Sequence, residues 1–107
     1  MTGEDAAGSG ARGPVWGAES EELNATVLEW PPGAGPGETV AALDVVYAVL
    51  GGSIVLTVDG ERRELRAGEA TIVPRDVRRS VAAGPDGARY LTAHRRRGLL
   101  HLSPSPR

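Results

Sequence analysis

The sequence predicts an all-β fold, a single domain built as an antiparallel β-barrel or jelly roll. Three observations carry that reading. The apolar runs are short and rich in Val, Ile, Leu, Thr and Tyr. Turn-forming residues, drawn from 15 Gly and 8 Pro in 107 positions, separate them at spacings of roughly 8–12 residues, as in sandwiches and barrels. No segment sustains the 3.6-residue period of a helix. One hydrophobic core fits this length and a second does not.

The elements follow in chain order. Residues 1–20 read as a flexible N-terminal arm, since the first thirteen are small and polar and bury too little to order themselves. Val15 and Trp16 interrupt it and mark where it could dock. The barrel occupies 21–103, and the terminal SPSPR makes 104–107 a disordered tail. Strands are expected at Leu23 to Trp30, Val40 to Leu50, Ser53 to Val58, Arg62 to Arg66, Ala70 to Val73, Val77 to Ala82, Arg89 to Arg95 and Leu99 to Leu102. The turns between them are Pro31-Pro32-Gly33, Gly51-Gly52, Asp59-Gly60, Ala67-Gly68 and Gly84-Pro85-Asp86-Gly87. Gly supplies positive φ and Pro presets φ, so each is a turn signal with a mechanism.

Two strands break the expected pattern. The run VVYAVL, Val45 to Leu50, is apolar on both faces, where a solvent-facing antiparallel strand alternates. A homodimer covering its outer face is the preferred explanation, and cover by the Val15–Trp16 arm is the alternative. In Val77-Arg78-Arg79-Ser80-Val81, period two places Arg79 between two inward valines. A buried guanidinium is costly unless partnered.

Composition excludes several classes. All 12 basic residues are Arg, and Lys, Cys, Phe and Gln are absent, a bias expected of a GC-rich bacterial genome. Without Cys there is no disulfide framework, thiolate metal site or cysteine nucleophile. The net charge of -2 and four aromatic residues argue against nucleic acid; the Arg95-Arg96-Arg97 run reads as a solvated edge. Gly33 to Gly37 lacks the Gly-Lys-Ser/Thr ending of a phosphate loop. No window approaches the apolar length of a membrane span or a signal peptide, so a cytoplasmic protein without membrane partners is expected.

The segment AVLGGSIVLTVDGERRELRAGEATIVPRDVRR resembles the centre of a small single-domain cupin. It has a strand ending in VL-x-G, a DG hairpin, a Gly after a polar strand, and an apolar strand entering a Pro turn. The likeness spans roughly Leu23 to His101, and GPDGARYLTAHRRRG is similar to a group of short actinobacterial cupin-like proteins. It implies a cupin-type β-barrel, a fold that hosts many chemistries.

The departures matter more. Gly68 and Pro74 match the second cupin motif, but Asp76 stands at its second Gly and Arg79 at its metal-binding His. In the first motif the ligand positions fall near Thr39, Ala41 and Val45. Arg stays protonated and offers only donors, so a metal-free cupin without a cofactor is expected. A non-family site using Glu38, Asp44 and His94 is the remaining metal alternative.

The candidate ligand pocket comprises Asp44, Tyr47, Arg79, Tyr90 and His94, with no catalytic residue assigned. Arg79 either meets an anionic ligand with its planar fork or forms an internal ion pair with Asp44, Glu38 or Asp76. His94 shares a strand face with Tyr90 and Thr92; it is a general base if that face lines the barrel and a rim residue otherwise. Tyr47 is a core ring whose hydroxyl is a ligand handle. Asp44 points to the opposite face and pairs with an Arg unless a bulge re-aims it. His101 reads as a surface residue. The expected function is metal-independent binding of a small anionic or polar metabolite. The alternatives are a metal-free isomerase, cyclase or lyase acting on a small carboxylate or polyketide-like metabolite, and a non-catalytic dimerisation module with a filled barrel.

Overall fold

The computed structural model describes residues 13–96; the predicted strand Leu99 to Leu102, His101 and the 104–107 tail lie outside the described residues. Those residues form antiparallel strands and no helix: β1 (Gly13–Glu19), β2 (Leu23–Trp30), β3 (Gly37–Val40), β4 (Val45–Val58), β5 (Glu61–Arg66), β6 (Ala70–Val73) and β7 (Arg78–Arg95). The strand order is β1-β2-β7-β4-β5, with β3 also paired to β7 and β6 to β4. No helix among them is long and apolar enough to cross a membrane.

The two long strands make the architecture. β4 has 14 residues and β7 has 18, and each runs through both layers. The first half of β4 pairs with the second half of β7, joined by β1, β2 and β6. The second half of β4 pairs with the first half of β7, joined by β3 and β5. Four strands expected separately are therefore two. Gly51-Gly52 and Gly84 to Gly87 bend the strands instead of ending them, and register shifts flank Gly51 and Gly52. Gly52 has φ 66°, and a Cβ there would overlap the Gly87 carbonyl. Two glycines thus let the long strands cross closely at the bend.

The predicted Val40 to Leu50 strand also divides: β3 ends at Val40 and β4 begins at Val45. Asp59 (φ 51°) and Gly60 (φ 84°) form the expected tight turn between β4 and β5.

The core sits between the layers. Val45, Tyr47, Val49 and Tyr90 from one half pack with Ile54, Leu56, Leu65, Val81 and Ala83 from the other. Period two holds along β4, where Val45, Tyr47 and Val49 are buried, Val46 and Ala48 half-buried and Leu50 exposed. Ile54 and Leu56 are completely buried, so truncating either to Ala would cost about 2–5 kcal/mol.

Within the predicted arm, residues 13–19 form β1 along the edge of β2. Only Val15 and Trp16 signal a strand there, which is why the alternation is hard to read. β1 extends the sheet beyond β2, so Val15 and Trp16 do not lie over VVYAVL.

Candidate functional site

Arg79 is 1% exposed and forms part of the floor of one end of the barrel. Its Nε donates to the Val77 carbonyl at 2.9 Å, Nη2 to the Pro74 carbonyl at 3.0 Å, and Nη1 to the Tyr47 hydroxyl at 3.3 Å. Every acceptor is neutral. The ion-pair reading fails: Glu38 pairs with Arg78 at 3.3 Å, Asp44 Oδ1 accepts from the Arg75 backbone N–H at 2.9 Å, and Asp76 lies 4.0 Å from Arg75 Nε. The guanidinium ties the β6–β7 turn to β4, using the rigid fork that Lys lacks.

Tyr47 and Tyr90 pack with centroids 6.3 Å apart. Burial pushes the Tyr90 hydroxyl up to about 12; Trp30 partly offsets this and Tyr47 adds to it. The Trp30 indole N–H faces that hydroxyl without reaching hydrogen-bond geometry, and Nε1 is buried without a partner.

Above this floor the inward face turns polar. Cross-strand register puts Thr26, Thr92, Tyr47 and Thr71 in one inward row. Asn24 and His94 lie opposite each other in the next inward position. Asn24, Thr26, Thr71, Thr92 and His94 are all half-buried, so these groups face the interior and still meet solvent. Arg63, opposite inward-facing Leu56, reaches across the rim and donates from Nη2 to Thr71 Oγ1 at 3.3 Å. Residue composition did not single out Arg63, Asn24, Thr26 or Thr71; the signal was the alternation in Leu23-Asn24-Ala25-Thr26, legible once the inward register was known.

His94 Nδ1 lies 2.7 Å from the Arg95 carbonyl oxygen. A carbonyl only accepts, so Nδ1 carries the hydrogen and Nε2 keeps its lone pair in the neutral ring. His94 lines a cavity of about 40 Å³ with Ala41, Ala42, Leu43 and Val45. Asp44 faces the other way, as its register predicts, into a cleft of about 310 Å³ with Leu43, Arg75 and Arg95. The five predicted pocket residues therefore separate. Tyr47, Arg79 and Tyr90 form the packed floor, His94 the mouth, and Asp44 the outside. A cleft of about 410 Å³ lies at the other end, beside Trp30, Pro31, Gly52 and Gly87.

The metal that the fold implies does not fit these residues. Thr39 pairs directly with Arg79, Ala41 packs against the core and Val45 belongs to it. The positions that the family resemblance assigns to ligands thus carry a hydroxyl, two alkyl groups and a hydrogen-bonded cation. Glu38, Asp44 and His94 are not gathered, and among the described residues no three His, Cys, Asp or Glu side chains could hold a metal ion. Asp76, standing at the second Gly of the motif, adopts φ 64°, a left-handed conformation that Asp tolerates better than most residues.

Comparison with known proteins follows the same lines. Residues 26–94 match the model described as "Cupin domain". A cupin protein from Bacteroides fragilis superposes with a TM-score of 0.64 at 28% identity, over 72% of this chain and 68% of that one. TT1209 from Thermus thermophilus gives 0.68 at 26% identity, over 79% and 81%. KdgF from Halomonas sp. gives 0.70 at 22% identity, over 80% and 79%, a likeness of fold. In sequence, 44 residues are 43% identical to the dimethylsulfoniopropionate lyase DddW of Ruegeria pomeroyi, 41% of this chain but 29% of that enzyme.

Proposed function

The chain belongs to the cupin domain family, and from that premise we propose that it binds a small anionic or polar metabolite in the barrel mouth without a metal ion. One observation carries the reading: polar side chains line an inward face and remain half-exposed. Small barrels fill their interiors with apolar side chains unless a ligand is held there. Thr26, Thr92 and Asn24 supply neutral hydrogen-bonding groups. Arg63, exposed at the rim, supplies a cation accessible to a carboxylate or phosphate. Arg79 acts from beneath. Because Tyr47 accepts from Arg79, its own O–H is left to donate.

The test is binding of small hydroxy- and keto-carboxylates measured by melting temperature and calorimetry, with the corresponding primary amides as uncharged controls. Carboxylates should raise the melting temperature of the wild type and the amides should not. Arg63→Ala and Thr92→Val should weaken carboxylate binding roughly tenfold each, about 1.4 kcal/mol. Equal binding of carboxylate and amide, or unchanged binding in both variants, would overturn the reading.

A second reading, a metal-free lyase or isomerase, is favoured by the His94 tautomer and by the local likeness to the dimethylsulfoniopropionate lyase. Here His94 Nε2 takes a proton from a carbon beside a carbonyl or carboxylate. The Tyr47 O–H, held by Arg79, donates to the oxygen on which charge develops. His94→Gln should then abolish turnover while leaving the carboxylate-induced rise in melting temperature intact.

A further inference from the structure

We infer that the cleft at the bend of β4 and β7 is a second binding site, built for a small quaternary ammonium cation. It lies at the end of the barrel away from the mouth, so it goes beyond the ligand reading and does not rest on it.

The cleft exists because one row of side chains is interrupted. Cross-strand register sets Gly13, Glu29, Arg89 and Gly51 in line across β1, β2, β7 and β4. Glu29 and Arg89 fill the middle of that row with their ion pair, and Gly51 leaves its end empty. The neighbouring glycines are explained by the fold. A Cβ on Gly52 would overlap the Gly87 carbonyl, and one on Gly87 would press on the Trp30 carbonyl at 3.1 Å. Gly51 is different. Its φ is outside the left-handed region, and a Cβ there would meet within 4 Å only the Cβ of Arg89, at 3.9 Å. Neither backbone conformation nor packing calls for glycine at 51. What it does is leave open the floor of a cleft of about 410 Å³, a volume in the range of small-molecule sites.

The walls are fixed and largely apolar. The Gly33 N–H donates to the Ala83 carbonyl at 3.0 Å and the Ala83 N–H to the Ala34 carbonyl at 2.7 Å, which fastens the Pro31-Pro32-Gly33 turn to β7. Trp30 is held on two sides. Its Nε1 is buried, and its outer ring carbons lie 3.6 Å from where a Gly13 Cβ would stand. The part left exposed lines the cleft with Pro31 and Pro32. A ligand therefore meets a site already formed, with little ordering lost on binding.

The charge of the lining selects the occupant. It holds two carboxylates, Glu29 and Asp86, against the guanidinium of Arg89, so one negative charge is in excess. Arg89 is paired with Glu29 at 3.4 Å, whereas the exposed Asp86 carboxylate has no ion-pair partner among the described residues. A cation here is attracted both by that carboxylate and by the Trp30 indole. A primary ammonium would need acceptors for three N–H donors, which rings of Trp and Pro do not offer. A methylated ammonium has no N–H to satisfy, and its methyl groups pack on Trp30, Pro31 and Pro32.

Calorimetry and tryptophan fluorescence on the full chain test this, with choline as the probe and its uncharged isostere, carbon in place of nitrogen, as the control. Trp16→Phe leaves Trp30 as the one tryptophan of the chain. In that background choline should bind saturably and change the Trp30 emission, and the isostere should do neither. Asp86→Asn, an exposed change, should weaken choline binding about tenfold. Gly51→Val, which fills the floor without a backbone clash, should weaken it at least as much. No saturable binding, equal binding of choline and isostere, unmoved Trp30 emission, or undiminished binding in Asp86→Asn would each overturn the proposal. So would undiminished binding in a folded Gly51→Val. The carboxylate-induced rise in melting temperature belongs to the mouth and should be unchanged in both variants, so the two readings stand or fall separately.

Discussion

Arg79 is where a single residue decides most about this molecule. Its three hydrogen bonds fasten the β6–β7 turn to β4. Removing it strands two carbonyls and a hydroxyl in a buried place. Arg79→Ala should therefore lower stability by about 3 kcal/mol in urea unfolding, while Arg79→Met, which fills the space without charge, should lose less. Equal losses would mean that volume and not hydrogen bonding sets the cost. Tyr90 makes a pH prediction. Its folded value, about 12, lies above the ordinary 10, so its contribution is fully present below pH 10. Between pH 10 and 12 the unfolded chain gives up a proton that the folded chain keeps, and stability falls by up to roughly 2 kcal/mol. Tyr90→Phe should remove that part of the alkaline slope.

Among the elements, the bends of β4 and β7 matter most, because each strand supplies both layers and the core lies between them. The Gly52–Gly87 crossing fixes the bend. Gly52→Ala should cost about 2 kcal/mol or more by thermal unfolding, since it adds a backbone clash to an unfavourable positive φ. Gly60→Ala, at φ 84° with open space around it, should cost about 1 kcal/mol. Similar losses at both would show that conformation, not close approach, is what the crossing requires. The sequence located both places correctly as glycine-rich punctuation and misjudged what they do. A Gly pair that ends a strand and one that bends it have the same local chemistry, and only pairing with a second bent strand separates them. β1 was hard to read for a related reason: Pro14, Gly17 and Ala18 have little strand preference, and pairing with β2 supplies what propensity does not.

At the scale of the whole molecule, strand period, turn chemistry and the VL-x-G to Pro-turn run were enough for the all-β class and the cupin architecture. So was the position of Arg79, because alternation forces it inward whatever its partners are. Those signals are local: they depend on residues within about ten positions of one another. The site was legible only in outline. Period two placed Tyr47 on the inward face and Tyr90 and His94 on one shared face, yet no local rule says whether that face lines the barrel or how deep each residue lies. Register across strands distant in sequence puts two of them in the floor and one in the mouth, and adds Arg63 and Thr71 beside them. The outer face is the same case on a larger scale. VVYAVL announces an apolar outer side, but apolar rows that cross five strands emerge only when those strands are set in register. The sequence by itself therefore determined which faces are apolar, where the chain turns or bends, and that Arg79 points inward. The tertiary structure alone decided what that cation bonds to, which polar groups share the mouth, and which surfaces stay bare. Local sterics and periodicity are properties of a short segment, whereas depth, partnership and exposure belong to pairs of segments brought together from afar.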